Sequence, residues 1–207
     1  GTRPSLAYIA RESLIYAGGK FTVLDSGGNG AYSTDGITWT NFSMPSINMT
    51  NGGWAAIAYG NNKFVATTYS SANADAAYST DGITWTKTTL PTNTVGGLIA
   101  YGNGRFLTIP ANTSADAAYS TDGITWTKTA MPVNGYWRAL AFGNGKFVAA
   151  AGNSPNMIYY TSDGITWNMY KTPLDSDLSN GSICKLIYWE KESMFVGIGL
   201  RGHVLYI

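Results

Sequence analysis

Aromatic and cationic side chains outside the regular repeats of this sequence are the first candidates for ligand chemistry. Trp54, Tyr136 and Trp137 lie off those repeats, so the scaffold does not require them. Aromatic ring faces stack on sugar rings, and arginine donates forked hydrogen bonds. The candidate ligand-binding residues are Trp54, Tyr69, Tyr136, Trp137 and Arg138, together with Arg11 and Arg201.

Each candidate also has a purely structural interpretation. Trp side chains are usually largely buried, so packing of Trp54 and Trp137 against neighbouring loops carries the same weight as ligand binding. Arg138 and Arg201 either bind an anionic group or form surface ion pairs, and the ion pair is favoured.

Residues for catalysis are sparse. The chain has one His (His203) and one Cys (Cys184), which argues against a Ser–His–Asp set, a disulfide within the chain and a structural zinc site. Glu12 is the one carboxylate expected in the interior, and no convincing partner for glycoside hydrolysis accompanies it. We therefore predict a non-catalytic protein without a metal or cofactor.

The composition favours neutral ligands. Only 12% of residues are charged, the net charge is +1, and 14% are aromatic. No run of Lys or Arg is present, which argues against nucleic acid as a partner. No apolar run approaches the length of a membrane span, so membrane insertion is not expected.

One phrase recurs and defines the architecture. "YSTDGITW" appears three times, and "YTSDGITW" is a looser fourth copy; their tryptophans are 46, 41 and 41 residues apart. Periods near 40 to 45 residues with strand-like content are typical of propeller blades. Trp39, Trp85, Trp126 and Trp167 are these tryptophans.

Each repeat unit predicts four antiparallel strands, a to d. Strands a and b flank a Gly- and Asn-rich turn, and "AAYS" and "ITWT" flank Asp-Gly as strands c and d. The repeat Trp is expected to cover the seam to the next blade. A fifth unit stops after strand c, and residues 1–3 are expected to be the tail of a strand d that begins upstream. The alternative, that residues 5–10 form the closing strand, is disfavoured because strand d is outermost and strand a innermost.

These features predict an all-β protein, a five-bladed β-propeller of four-stranded antiparallel blades with an incomplete fifth blade. We expect residues 1–207 to form one domain that belongs to a longer chain. Its repeats span approximately 11–45, 54–91, 96–132, 137–173 and 183–207, with the N-terminal residues added.

The two faces of such a propeller differ. Turns a–b and c–d share one face, and their sequences repeat from unit to unit. The loops of the other face differ in sequence between units. Sequence variation on a constant scaffold indicates a recognition surface. We call this second face the loop face. It comprises the b–c loops 25–30, 68–75, 110–116, 152–156 and 200–202 and the d–a crossings 43–54, 90–97, 131–138 and 173–182.

The phrase Ser-x-Asp-Gly-Ile-Thr-Trp resembles the Asp-box of sialidase-like propellers, shortened by one residue. With "AYGNGKFV"-type segments upstream, it also resembles repeats of bacteriophage tail and receptor-binding proteins. The resemblance implies that the Asp residues belong to the scaffold at the blade periphery. It also implies a virion or extracellular location, cell-surface carbohydrate as partner and, by analogy, other tail-protein chains or a homotrimer.

The function predicted is therefore a carbohydrate- or receptor-binding propeller of a phage tail-type protein. Two alternatives stay open. One is a sialidase-like glycan hydrolase that uses Glu12, although the five arginines are unevenly placed for such a site. The other is a structural platform for further chains.

Overall fold

The structure is a computed structural model that describes residue 6 and residues 9–47, 52–70, 74–92, 96–152, 157–170, 183–199 and 204–207, without the side chains of 9–11, 52, 70 and 205. It contains 19 strands, and the only helix in these ranges is a three-residue 3-10 turn at Glu190–Glu192. No helix there could span a membrane.

The strands form five consecutive units, as the repeats predict. Blade 1 contains β1 (Ile9–Ala17), β2 (Lys20–Asp25), β3 (Asn29–Ser33) and β4 (Thr40–Ser43). Blade 2 contains β5 (Gly52–Gly60), β6 (Lys63–Ser70), β7 (Asp75–Ser79) and β8 (Thr86–Thr89). Blade 3 contains β9 (Gly97–Gly102), β10 (Arg105–Pro110), β11 (Asp116–Ser120) and β12 (Thr127–Ala130).

Two further units follow along the chain. Blade 4 contains β13 (Trp137–Gly143), β14 (Lys146–Ala151), β15 (Ile158–Thr161) and β16 (Asn168–Tyr170). Blade 5 contains β17 (Ile183–Trp189), β18 (Met194–Gly199) and β19 (Val204–Tyr206). Strands within a blade pair antiparallel with their sequence neighbours, and a parallel bridge between Glu12 and Ala56 joins blades 1 and 2. The predicted all-β propeller is confirmed, with three strands described in the fifth blade.

The a–b turns follow the predicted chemistry. Asn61 and Asn62 have φ values of 47° and 56°, and Gly18 and Gly19 have 56° and 75°. Two consecutive residues with positive φ form the turn whose twist matches a β-hairpin, which is why Gly and Asn occupy these positions.

The prediction for strand d was wrong at its start. In blade 1 the strand begins at Thr40, so the segment "ITW" lies in a loop rather than in the sheet. Asp35 Oδ1 accepts hydrogen bonds from the backbone N–H groups of Ile37 and Thr38, at 2.8 and 2.7 Å. Those two donors are therefore committed to the turn and cannot join the ladder.

The core consists of apolar layers between neighbouring blades, and a cluster of buried side chains lies at each seam from blade 1 to blade 5. Three of the repeat tryptophans pack there, but against the preceding blade rather than the next one: Trp85 packs between blades 1 and 2, Trp126 between blades 2 and 3, and Trp167 between blades 3 and 4. The Asp-Gly turns fold the indoles back onto the earlier blade.

Candidate functional site

Tyr136 and Arg138 form the most developed feature described on the loop face. They flank the start of β13, where alternate residues point to opposite sides of the sheet. Tyr136 is 41% exposed, and the Arg138 guanidinium carbon lies 5.8 Å from the centre of its ring. This cation–π contact places a positive group beside an accessible aromatic face.

Gly152, the residue directly after β14, lies against this pair. Its N–H donates a hydrogen bond of 2.6 Å to the carbonyl of Tyr136. A Cβ on Gly152 would lie 2.4 Å from Arg138 Cγ, so the arginine stem crosses directly over the glycine. Sequence reasoning missed this role of Gly152, for which the only signal was its place at the start of a b–c loop.

Trp137 belongs to the core rather than to a binding surface. It is fully buried, packs among Leu98, Ile109 and Met131 of blade 3, and makes an edge contact with Tyr159 at 5.9 Å. The prediction that its ring stacks on a ligand is therefore corrected. Strand alternation turns Trp137 inward while Tyr136 and Arg138 remain on the surface.

Trp54 requires the same correction. It is fully buried between blades 1 and 2, in a cluster with Leu24, Met44 and Phe64. The indole N–H groups of Trp54 and Trp137 are buried without an acceptor, but so are those of the repeat residues Trp85, Trp126 and Trp167. This feature is common to the scaffold and does not indicate a ligand.

Tyr69 is the second accessible aromatic ring of the loop face, at the end of β6, and is 43% exposed. It packs beside Gly97 of blade 3, where a Cβ would lie 3.4 Å from Tyr69 Cδ2. Tyr69 and Tyr136 belong to blades 2 and 4 and are not in contact. The Arg11 side chain and Arg201 lie outside the described residues.

Two ion pairs also line the loop end of the blades. Lys87 Nζ lies 2.9 Å from Asp75 Oδ2, and Lys128 Nζ lies 2.9 Å from Asp116 Oδ1. Both connect strand d to the start of strand c. The signal was present in the sequence, because each Lys follows its Asp by 12 residues in two successive repeats.

The repeated Asp residues are turn caps. Asp163 Oδ1 accepts hydrogen bonds from Ile165 N and Thr166 N at 2.8 Å and from Thr161 Oγ1 at 2.7 Å. These bonds, led by the Ile165 amide, lower the pKa of Asp163 from 3.8 to about 2. The ionised carboxylate thus stabilises its loop through Oδ1, which agrees with the predicted scaffold role.

Glu12, the predicted interior carboxylate, forms an ion pair with Lys185. The pair connects the innermost strands of the first and last blades. Among the described residues, no group of three or more His, Cys, Asp or Glu side chains could hold a metal ion. His203 and the loop 200–202 lie outside the described residues.

Comparison with solved structures identifies the fold class. Virginiamycin B lyase from Staphylococcus aureus matches with a TM-score of 0.68 and 13% identity, over 95% of this chain and 69% of the lyase. YCF48 bound to D1 peptide matches with a TM-score of 0.68 and 16% identity, over 98% of this chain and 64% of the YCF48 chain. The GH43 β-1,3-galactosidase BT3683 with galactodeoxynojirimycin matches with a TM-score of 0.57 and 11% identity, over 93% of this chain and 86% of the galactosidase.

These neighbours are β-propeller-type proteins, and at such identities they establish the fold alone. This chain spans less than two thirds of the YCF48 chain. No protein-family profile and no curated protein matches the sequence. The chain is thus a β-propeller, a class that includes both enzymes and binding proteins.

Proposed function

We propose that this propeller is a non-catalytic receptor-binding domain of the phage tail type, and that its loop face recognises cell-surface carbohydrate. The observation that carries the proposal is the exposed Tyr136 ring beside Arg138, on a crossing that the repeat does not require. An aromatic face next to a guanidinium suits a sugar ring with hydroxyl or acidic substituents. Tyr69 offers a second aromatic surface on the same face.

Charge supports a weakly charged glycan as the ligand. Asp75 and Asp116 are paired with lysines on the loop face, so their charges are largely compensated. The net charge of +1 creates little long-range attraction for polyanions. Binding therefore depends on shape and stacking. The virion location and the partnership with other tail chains come from the sequence resemblance.

Binding to a glycan array, followed by calorimetry on the best ligand, tests the proposal. We expect Tyr136→Ala to weaken binding at least about tenfold, since one stacked aromatic contributes about 1.4 kcal/mol or more. Tyr16→Ala is the matched control, because Tyr16 is 62% exposed and lies beside an a–b turn, on the opposite face. Equal losses in both variants, or a Tyr136→Ala variant that binds normally, would contradict the site.

Release of reducing sugars from the bound glycan would instead indicate the hydrolase. That activity should then disappear in Glu12→Gln, whereas binding by the non-catalytic domain should persist in this variant. If no glycan binds and another chain covers the loop face, the domain is a platform.

A further inference from the structure

A cavity of about 260 Å³ opens at the seam between blades 4 and 5, on the side of the a–b turns. Blade 4 contributes one wall, with Asn144, Lys146, Val148, Tyr160 and Tyr170, and blade 5 contributes Ser193, Phe195 and Ile207. We call this cavity the seam pocket. Its lining can be compared with the three earlier seams, because the blades repeat the same strand register.

At the seam between blades 3 and 4, the corresponding wall binds the Asp-Gly turn of the following blade. Asn103 Nδ2 donates to the Ser162 carbonyl at 2.8 Å, and Arg105 donates to the Asp163 carbonyl at 2.7 Å. Leu107 lies against Gly164, whose Cβ would be 3.1 Å from Leu107 Cδ1. Two hydrogen-bond donors and one apolar side chain of blade 3 thus bind the Asp-Gly turn of blade 4.

Each of the two other seams shares one of these donor positions, with Asn61 at the position of Asn103 and Lys20 at the position of Arg105. Between blades 2 and 3, Asn61 donates to the Thr121 carbonyl at 3.4 Å and Thr88 donates to the Ile124 carbonyl at 2.8 Å. Between blades 1 and 2, Lys20 donates to the Asp81 carbonyl at 2.7 Å. At each of these seams, side chains of the earlier blade therefore donate hydrogen bonds to backbone carbonyl groups in the Asp-Gly loop of the next blade.

The wall of blade 4 repeats these positions residue by residue. In strand register, Asn144 corresponds to Asn103, Lys146 to Arg105 and Val148 to Leu107. The remaining two members, Tyr160 and Tyr170, correspond to Tyr119 and Thr129 of blade 3. Lys146 Nζ lies 4.9 Å from the Tyr160 ring centre, just as Arg105 lies over Tyr119 at 5.1 Å.

On the blade 5 side of the pocket, the strand pairing matches the pairing that precedes an Asp-Gly turn in blade 4. Phe195 and Ile207 exchange backbone hydrogen bonds of 2.7 and 2.9 Å. Phe147 and Thr161 are paired in the same register in blade 4, and Thr161 begins the Asp-Gly phrase there. Ile207 therefore occupies the position directly before such a turn.

We propose that the seam pocket is a docking site for an Asp-Gly turn of the repeat type, presented in the strand register that follows Ile207. The turn would accept hydrogen bonds from Asn144 and Lys146 through its carbonyl groups, place its glycine on Val148 and cap its own loop with the aspartate. The following Trp would then cover the blade 4 to 5 seam.

The test is to extend the chain after Ile207 with a copy of residues 162–170 and measure thermal unfolding. We expect Tm to rise by about 4 °C or more relative to the same extension with Asp-Gly replaced by Ala-Ala. Lys146→Ala should remove most of this gain while changing the unextended chain little. Fluorescence of the added Trp should shift to the blue in the Asp-Gly extension only.

Equal Tm values for the two extensions would overturn the proposal. So would concentration-dependent dimers of the 207-residue chain that Lys146→Ala abolishes, since the occupant would then be a turn from a second copy. Deletion of residues 1–5 tests the N-terminal segment: a loss of Tm that disappears in the Lys146→Ala background would assign the pocket to that segment instead.

If the extended chain does not fold, a peptide of residues 159–170 added at millimolar concentration provides the second measurement. Amide shifts confined to residues 144–148, 160 and 170 are expected, and their absence would also overturn the proposal.

Discussion

Gly143 lies against the ring of Tyr188 so closely that a Cβ on Gly143 would be 2.0 Å from Tyr188 Cγ. Gly60 and Tyr101, and Gly102 and Phe142, have the same relationship in the preceding blades. The glycine that closes each of these three innermost strands is therefore where the aromatic ring of the next blade rests. This contact sets the spacing of these blades.

Gly143→Ala should destabilise the fold, because the added methyl group overlaps an aromatic ring in a closely packed seam. We expect a loss of about 1 to 3 kcal/mol in the free energy of unfolding, measured by urea denaturation. Gly145→Asn is the control: Gly145 has a φ of 69°, and Asn62 adopts 56° at the same turn position of blade 2. A loss from Gly145→Asn as large as that from Gly143→Ala would contradict the contact as the cause.

The capped Asp residues predict an acid-dependent loss of stability. The folded pKa of Asp163 is about 2, below the unfolded value of about 3.9, so its contribution is present above pH 4 and is lost as the pH falls towards 2. Asp163→Asn should therefore be less stable than the parent at pH 7, by about 1 kcal/mol, and nearly equal to it at pH 2. Urea unfolding at both pH values measures this.

Glu192→Gln is the charge control for that experiment, because Glu192 is exposed on the 3-10 turn and caps no loop. If Glu192→Gln reproduced the pH-dependent difference, the effect would come from net charge rather than from the turn.

The ion pair between Glu12 and Lys185 should contribute little. Both side chains are partly exposed, so the coupling free energy is expected to be at most about 1 kcal/mol and to decrease with added salt. A double-mutant cycle with Glu12→Gln and Lys185→Met, measured at low and at high salt, provides this value. A coupling that is independent of salt would instead indicate a desolvated pair.

Alanine substitutions at Trp137 and Tyr136 should change the free energy of unfolding by different amounts, because Trp137 is a core residue and Tyr136 a surface residue. Trp137→Ala removes a fully buried indole and should cost about 3 to 5 kcal/mol. Tyr136→Ala should change stability by less than about 1 kcal/mol, since its ring is partly solvated. Chemical denaturation of both variants tests this. Similar losses would mean that Tyr136 is also a structural residue.

The blade architecture was predictable because local chemistry encodes it. Asp-Gly and Gly-Asn turns depend on backbone conformations that few residues adopt, so "YSTDGITW" identifies a capped loop wherever it occurs. The start of strand d was not predictable from that chemistry. Asp35 removes two backbone donors from the ladder, which lengthens a loop that looked like a tight hairpin.

The sequence by itself determined the number of repeat units, their strand order and which face varies, since each depends on residues close together in the chain. Only the tertiary structure decided that Trp54 and Trp137 are core residues while Tyr69, Tyr136 and Arg138 remain accessible. Neighbouring residues on one strand point to opposite sides, and which side is buried depends on an adjacent blade some 40 residues away in sequence.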